Sequence, residues 1–237
     1  MSANRPFVLV HGAWHGGWCW RDVAAALRAA GHLVFTPTLT GLGERAHLIA
    51  PEINLSTHIQ DIAAVIEREE LDNVILVGHS YAGWVIAGVA ERLAGRLAHL
   101  IYLDASIPVS GKAFFEAMGG GETGDPRQHA ENGYTLPPPP ATWFGIDDAD
   151  ADKAAWVARH LTPHPLATLT ERLDLPKGGG QGIEHSFILC TRPSGTDFSR
   201  DADRARAAGW RVTEIDSGHD AMVTAPDALA SLLHELA

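Results

Sequence analysis

Ser80 stands at the apex of Gly78-His79-Ser80-Tyr81-Ala82-Gly83. The apolar run Val74-Ile75-Leu76-Val77 leads in and Trp84-Val85-Ile86-Ala87 leads out, which predicts strand, sharp turn and helix around one serine. A serine held there is out of the sheet and beside free N–H groups at a helix start, so it reads as a nucleophile. The last position of the G-x-S-x-G pattern is Ala82, so support must come from elsewhere in the chain.

A serine hydroxyl is weakly nucleophilic alone and needs a base to take its proton. Ser217-Gly218-His219-Asp220 lies between the last expected strand and the last helix, and His219 is the expected base. The base needs a carboxylate on its other ring nitrogen. Two aspartates satisfy the chain order. Asp104 ends a strand within Leu103-Asp104-Ala105, where an unpaired carboxylate would be costly. Asp197, in the loop after Cys190, is the alternative acid. Asp104 is preferred. The oxyanion formed on attack needs fixed N–H donors, expected from Tyr81 and from Ala13 in His11-Gly12-Ala13-Trp14-His15-Gly16-Gly17-Trp18. That glycine-rich loop has no Lys-Ser/Thr pair and no G-x-G-x-x-G, so it is not read as a phosphate cradle. The expected chemistry is acyl transfer from a small carboxylic ester to water. It needs no metal or organic cofactor, and the chain has no H-E-x-x-H spacing. Trp14, Trp84, Phe114, Phe115, Trp143 and Phe144 are the expected pocket residues, which suits a partly hydrophobic ester, aromatic esters included. His15 is expected to line the pocket or hold the loop, and His79 to point away from the site and pack.

Positioning these groups requires a sheet with its loops gathered at one edge. Strands are expected at Phe7–Val10, Leu33–Thr36, Val74–Val77, Leu100–Leu103, Ser186–Cys190 and Trp210–Ile215. Helices are expected over Trp20–Ala30, from Ser56 or Thr57 as cap to Glu70, after Ser80, over Asp201–Ala208 and over Pro226–Leu236. Apolar strands alternating with helices indicate an α/β fold with a parallel sheet. The alternation lapses from Pro108 to Glu184, which holds Gly119-Gly120-Gly121, Pro137-Pro138-Pro139-Pro140 and expected helices at Ala151–His160 and Leu166–Leu173. The expected organisation is a core of residues 1–107 and 185–237 with an inserted cap, or lid, at 108–184. The four prolines suit a stiff, extended lid edge.

The chain has 237 residues, 46% of them apolar, enough for one large core. A net charge of -11 makes nucleic acid and anionic membrane surfaces poor partners. The Asp147, Asp148, Asp150 and Asp152 cluster reads as a solvated helix start. Cys19 and Cys190 sit in apolar surroundings and suggest no disulfide framework. With no signal-like N-terminus and no long apolar run, a cytoplasmic monomer or homodimer is expected.

The loop His11–Trp20, Gly78-His79-Ser80 and Gly218-His219-Asp220-Ala221-Met222 together resemble the α/β-hydrolase superfamily, in the branch of plant methylesterases, plant hydroxynitrile lyases and bacterial esterase relatives. The resemblance implies an α/β-hydrolase fold with a cap. Plant members carry their acid near the position of Pro193, so this chain lacks it there. Other members, haloalkane dehalogenases among them, carry it at the strand tip that Asp104 matches, which agrees with the reading of the residues. Ser80 in place of their aspartate nucleophile disfavours halide displacement. The lyases use a threonine and a lysine where Gly12 and Asp220 stand, which disfavours cyanohydrin cleavage. An amide or carbamate hydrolase using the same serine, and a non-enzymatic small-ligand receptor, stay open as alternatives.

Overall fold

The computed structural model describes residues 5–119, 125–146 and 150–237. The N-terminal half alternates β1 (Phe7–Val10), α1 (Arg21–Ala29), β2 (Val34–Phe35), α2 (Leu55–Arg68), β3 (Val74–His79), α3 (Ala82–Leu93) and β4 (Leu97–Leu103). Short elements follow: β5 (Lys112–Ala113), α4 (Phe114–Ala117), β6 (Thr135–Leu136), α5 (Ala151–His160), β7 (His164–Pro165), α6 (Ala167–Thr170) and β8 (Arg172–Leu173). The chain then returns to β9 (Glu184–Cys190), α7 (Ser199–Ala207), β10 (Arg211–Ile215), α8 (Ala221–Thr224) and α9 (Pro226–Glu235).

The main sheet has the order β10-β9-β4-β3-β1-β2, and every pair is parallel. Both faces of a parallel sheet are covered by helices, so its strands are apolar on both sides. Val8, Val10 and Leu76 belong to the core shared with α2 and α3, whereas Phe7, Leu9 and Ile75 belong to the core shared with α1 and α9. Strand order reverses between β1 and β3. Open α/β sheets bind ligands at such a switch point, beyond the carboxyl ends of the strands. The His11 loop and Ser80 leave the sheet there.

β4 and β9 are neighbours in the sheet, so everything between them is an excursion from it. Its β5–β8 and β6–β7 pairs are short antiparallel ladders. The excursion folds back over the loops at the carboxyl ends of the strands: Trp14 Nε1 donates to Leu136 O, and Asp220 N to Phe144 O.

Several expected bounds shift. The α2 cap is Asn54, not Ser56 or Thr57: Asn54 Oδ1 accepts from Thr57 N at 3.0 Å in a reciprocal capping box. The expected helix Leu166–Leu173 ends at Thr170 and continues as β8. The helix expected from Trp20 begins with a tighter turn at Gly17–Trp20. The short α8 after His219 is absent from the sequence reading. Asp150 caps α5 by accepting from Lys153 N, in keeping with a solvated helix start; Asp147, Asp148, Gly120 and Gly121 lie outside the described residues. Among the described residues, no helix is long and apolar enough to cross a membrane.

Candidate active site

Ser80 follows β3 directly and has φ +56°, a left-handed conformation that non-glycine residues seldom adopt. The turn is braced by its own backbone. Ser80 N donates to Leu103 O at 3.2 Å, and Ser80 O accepts from Gly83 N at 3.2 Å and Ser106 N at 3.3 Å. Close packing demands glycine at Gly78, where a methyl group would lie 2.8 Å from Ala82 O, and at Gly83, one place after Ala82. A methyl group on Gly83 would collide with the Ser106 carbonyl oxygen. Ala82 itself is fully buried in the core.

Asp104 ends β4 as Ser80 ends β3, and these two strands are paired. Asp104 also has a positive φ, +40°. Its Oδ2 lies 2.6 Å from His219 Nδ1, and its Oδ1 accepts from Cys190 N at 3.1 Å. A carboxylate so placed fixes the histidine's orientation and makes Nε2 its free nitrogen. The His219 ring lies parallel to Phe198 and Phe144, with centroids 5.5 Å and 6.3 Å away. Asp197 is exposed, and its carboxylate accepts from Ser199 N at the start of α7, so it serves as a turn and helix-start acceptor. The backbone hydrogen bond holds its carboxyl below the usual range.

His79 does not point away from the site, as the sequence suggested. Its ring centroid is 4.4 Å from that of His219, and its Nε2–H donates to His219 O at 3.1 Å. Burial, followed by the nearby His219 and His15, pushes its pKa well below the ordinary value. A neutral His79 makes its 3.9 Å approach to Asp220 no ion pair. It therefore braces the loop that carries His219 while preceding Ser80 in the chain.

The His11 loop crosses directly over this point. A methyl group on Gly12 would lie 3.0 Å from Ser80 Cβ and 2.9 Å from His79 Nδ1. His11 Nε2 accepts from Leu39 N at 3.0 Å, which makes Nδ1 the protonated nitrogen, and this donates to Gly12 O at 2.9 Å. Burial holds its pKa down at about 3, keeping that tautomer neutral. In a trans peptide the N–H points opposite the carbonyl. With Gly12 O turned toward His11, the Ala13 N–H faces the other way. Among the described residues, neither the Ala13 nor the Tyr81 N–H has a protein acceptor. The Tyr81 side chain is buried and lies 3.0 Å from His58 Nδ1 through its hydroxyl. His58 Nε2 is 2.9 Å from Thr40 O. Among the described residues, no three His, Cys, Asp or Glu side chains are placed to hold a metal ion.

A cavity of about 470 Å³ opens beside Trp14, lined by Phe114, Phe115, Leu136, Trp143 and the Pro137–Pro139 run. Two expected pocket residues do not line it. Trp84 is fully buried in α3, its indole N–H donating to Ser106 Oγ, because this helix is covered by protein on every side. Phe144 is buried, its ring packed against those of His15, Trp14 and His219. A larger cleft, about 650 Å³, lies at the opposite sheet edge where β9 and β10 begin, and none of the candidate residues line it.

His15 hydrogen-bonds within the loop instead of lining the cavity. It pairs with Asp220, and both are fully buried. Sequence reasoning missed this pair and the link from His164 to Trp14 N. The available signal was Asp220 itself, a carboxylate beside the apolar stretch Ala221-Met222-Val223, which has to find a partner.

The alpha/beta hydrolase family pattern matches residues 7–232. The chain belongs to the alpha/beta hydrolase family. This hydrolase is 43% identical over 244 residues to a carbendazim hydrolyzing esterase of Nocardioides sp. (strain SG-4G), covering 97% of this chain and 98% of that one. It is 27% identical over 261 residues to methylesterase 10 of Arabidopsis thaliana, covering 98% and 91%. In fold it is similar to an extracellular alpha/beta-hydrolase from a Paenibacillus species, with a TM-score of 0.87, 24% identity and 98% of both chains covered. The resemblance drawn from the motifs holds: the relatives of this hydrolase lie in the methylesterase and bacterial esterase branch.

Proposed function

We propose that this protein hydrolyses small carboxylic esters with an apolar acyl or alkyl part, aromatic groups included, through an acyl-enzyme on Ser80. The observation that carries the reading is the buried 2.6 Å contact of His219 Nδ1 with Asp104 beside the Ser80 turn. Ser80 attacks the ester carbonyl while His219 Nε2 takes its proton. The Ala13 and Tyr81 N–H groups receive the oxyanion. The C–O bond to the alcohol breaks as His219 returns the proton to the leaving oxygen. Water, deprotonated by the same nitrogen, then attacks the acyl-enzyme, releasing the acid and restoring Ser80. The aromatic and proline walls of the 470 Å³ cavity favour an uncharged group there.

The test is a panel of matched ester, carbamate and anilide substrates, with carbendazim included because of the relative named for it. Ester turnover, its loss in Ser80→Ala and labelling of Ser80 by a fluorophosphonate are expected. Preferential turnover of the carbamates or anilides would replace the simple esterase with a hydrolase of nitrogen-linked substrates. No turnover and no labelling would favour a receptor.

A further inference from the structure

The peptide joining Ala13 to Trp14 is gripped at both ends by buried histidines. Its carbonyl, Ala13 O, is 2.7 Å from His15 Nδ1; its N–H, on Trp14, donates to His164 Nδ1 at 3.2 Å. Both histidines are fully buried. They come from different parts of the chain. His15 lies in the same loop and is tied by Nε2, at 2.9 Å, to Asp220, the residue after His219. His164 lies in β7 of the excursion and is tied by Nε2, at 2.7 Å, to Thr168 Oγ1.

The hydrogen-bond chain fixes each proton. Trp14 N–H can only donate, so His164 Nδ1 accepts and Nε2 carries the hydrogen. Thr168 Oγ1 accepts it and donates onward to Pro165 O at 2.7 Å. Burial first, then His58, His11 and His15, hold His164 well below its ordinary pKa, consistent with the neutral ring. Ala13 O can only accept, so His15 Nδ1 donates, and Nε2 donates to the Asp220 carboxylate. Burial opposes charge on His15, but the charge and hydrogen bond of Asp220, with the Ala13 carbonyl, leave its pKa raised.

The gripped peptide sits where the loop is strained. Trp14 has φ +65°, unusual for a bulky residue, and relieving it would rotate this peptide. The preceding peptide carries the Ala13 N–H, and the two share the Ala13 Cα. Rotation of one would swing the other.

We infer that His164 and the His15–Asp220 pair are positioning residues that clamp the Ala13–Trp14 peptide, keeping the Ala13 N–H aimed at the oxyanion. The clamp ties the rate of acyl transfer to the excursion between β4 and β9, because one of its jaws belongs to that segment. The inference rests on the esterase reading above.

The experiment compares kcat and KM on a p-nitrophenyl ester for wild type, Ser80→Ala, His164→Phe, His164→Asn and Thr168→Val. Phenylalanine removes the acceptor for Trp14 N–H, whereas the asparagine side-chain oxygen can stand where Nδ1 stood. Thr168→Val removes the acceptor that fixes the tautomer. His164→Phe is expected to lower kcat about 10- to 100-fold with KM little changed, part of the loss typical of a missing oxyanion donor. His164→Asn recovers most of that loss, and Thr168→Val lowers kcat in the same direction. A purely structural role would lower the melting temperature of all three without this split between kcat and KM or the rescue. Full kcat in His164→Phe and Thr168→Val, with active wild type and inert Ser80→Ala, overturns the clamp alone. If His164→Phe does not fold, Thr168→Val decides. Wild type that turns over no ester sinks both readings.

Discussion

His219 and Asp104 meet at 2.6 Å although 115 residues of chain separate them. The contact follows from the sheet. Asp104 ends β4, and β9 pairs alongside so that Cys190 N holds the second carboxylate oxygen. β10 pairs with β9 and delivers the His219 loop to the same edge. Asp104 therefore follows the strand next to the one that Ser80 follows, and Cys190, the last residue of β9, meets it through its backbone N–H.

Asp104→Asn is expected to lower kcat by about 10³–10⁴, because the amide cannot support the imidazolium and can hold the wrong tautomer. Asp197→Asn should turn over like wild type, since asparagine also serves as a helix-start acceptor. Steady-state kinetics on one ester decides between them. Collapse in Asp197→Asn with normal turnover in Asp104→Asn would reverse the assignment.

The elbow predicts an asymmetry between two adjacent small residues. Gly83→Ala pushes a methyl group into the Ser106 carbonyl, and Ser106 N is one of the donors bracing Ser80 O. It should destabilise the fold by about 1–3 kcal/mol, the usual cost of overpacking. Ala82→Gly restores the G-x-S-x-G spelling but should cost about 1 kcal/mol, because it deletes a fully buried methyl group. Urea unfolding of the two variants checks the order, and a more stable Ala82→Gly would show the spelling mattered more than the contact.

The elements carrying Ser80, Asp104 and His219 are legible in sequence because buried parallel strands read as short apolar runs with polar residues at their tips. Trp84 is misplaced by the same logic. An aromatic near a nucleophile suggests a pocket, but residues of α3 meet protein on all sides, and periodicity does not show which faces are covered. The excursion is hardest to read. Its strands are two residues long, too short for any period, and His164 owes its importance to a Trp14 N–H distant in sequence. Asn54 is missed as a cap because Ser56 and Thr57 offer equally good chemistry nearby, and only the backbone geometry selects among them.

Trp143 is 42% exposed and lines the cavity, so it forms part of the mouth. Its carbonyl accepts from Gly195 N, a backbone contact that Trp143→Ala leaves in place. The variant is expected to raise KM for benzyl acetate about three- to tenfold, the scale of one aromatic contact, and to change KM for ethyl acetate little. Equal effects on both esters would place the aromatic part of the substrate elsewhere.

Acid should destabilise the protein well before its carboxylates protonate. Burial holds His11 at about 3 and His58 at about 4, and pushes His79 and His164 well below the ordinary value. Unfolded, these rings bind protons from about pH 6.5 downward, while in the folded protein they stay neutral. The unfolded state therefore holds more protons in that window, and stability is lost as pH falls from about 6.5 toward the folded values. Each pKa unit of separation is worth about 1.4 kcal/mol per ring. His15 acts in the opposite sense: its raised pKa adds stability below about 6.5, lost as pH rises through the folded value. With the depressed rings outnumbering it, the urea midpoint should fall clearly between about pH 7 and pH 5, above the range where ordinary carboxylates titrate. A flat midpoint across that interval would mean that the buried rings titrate in the folded protein as they do in the unfolded chain.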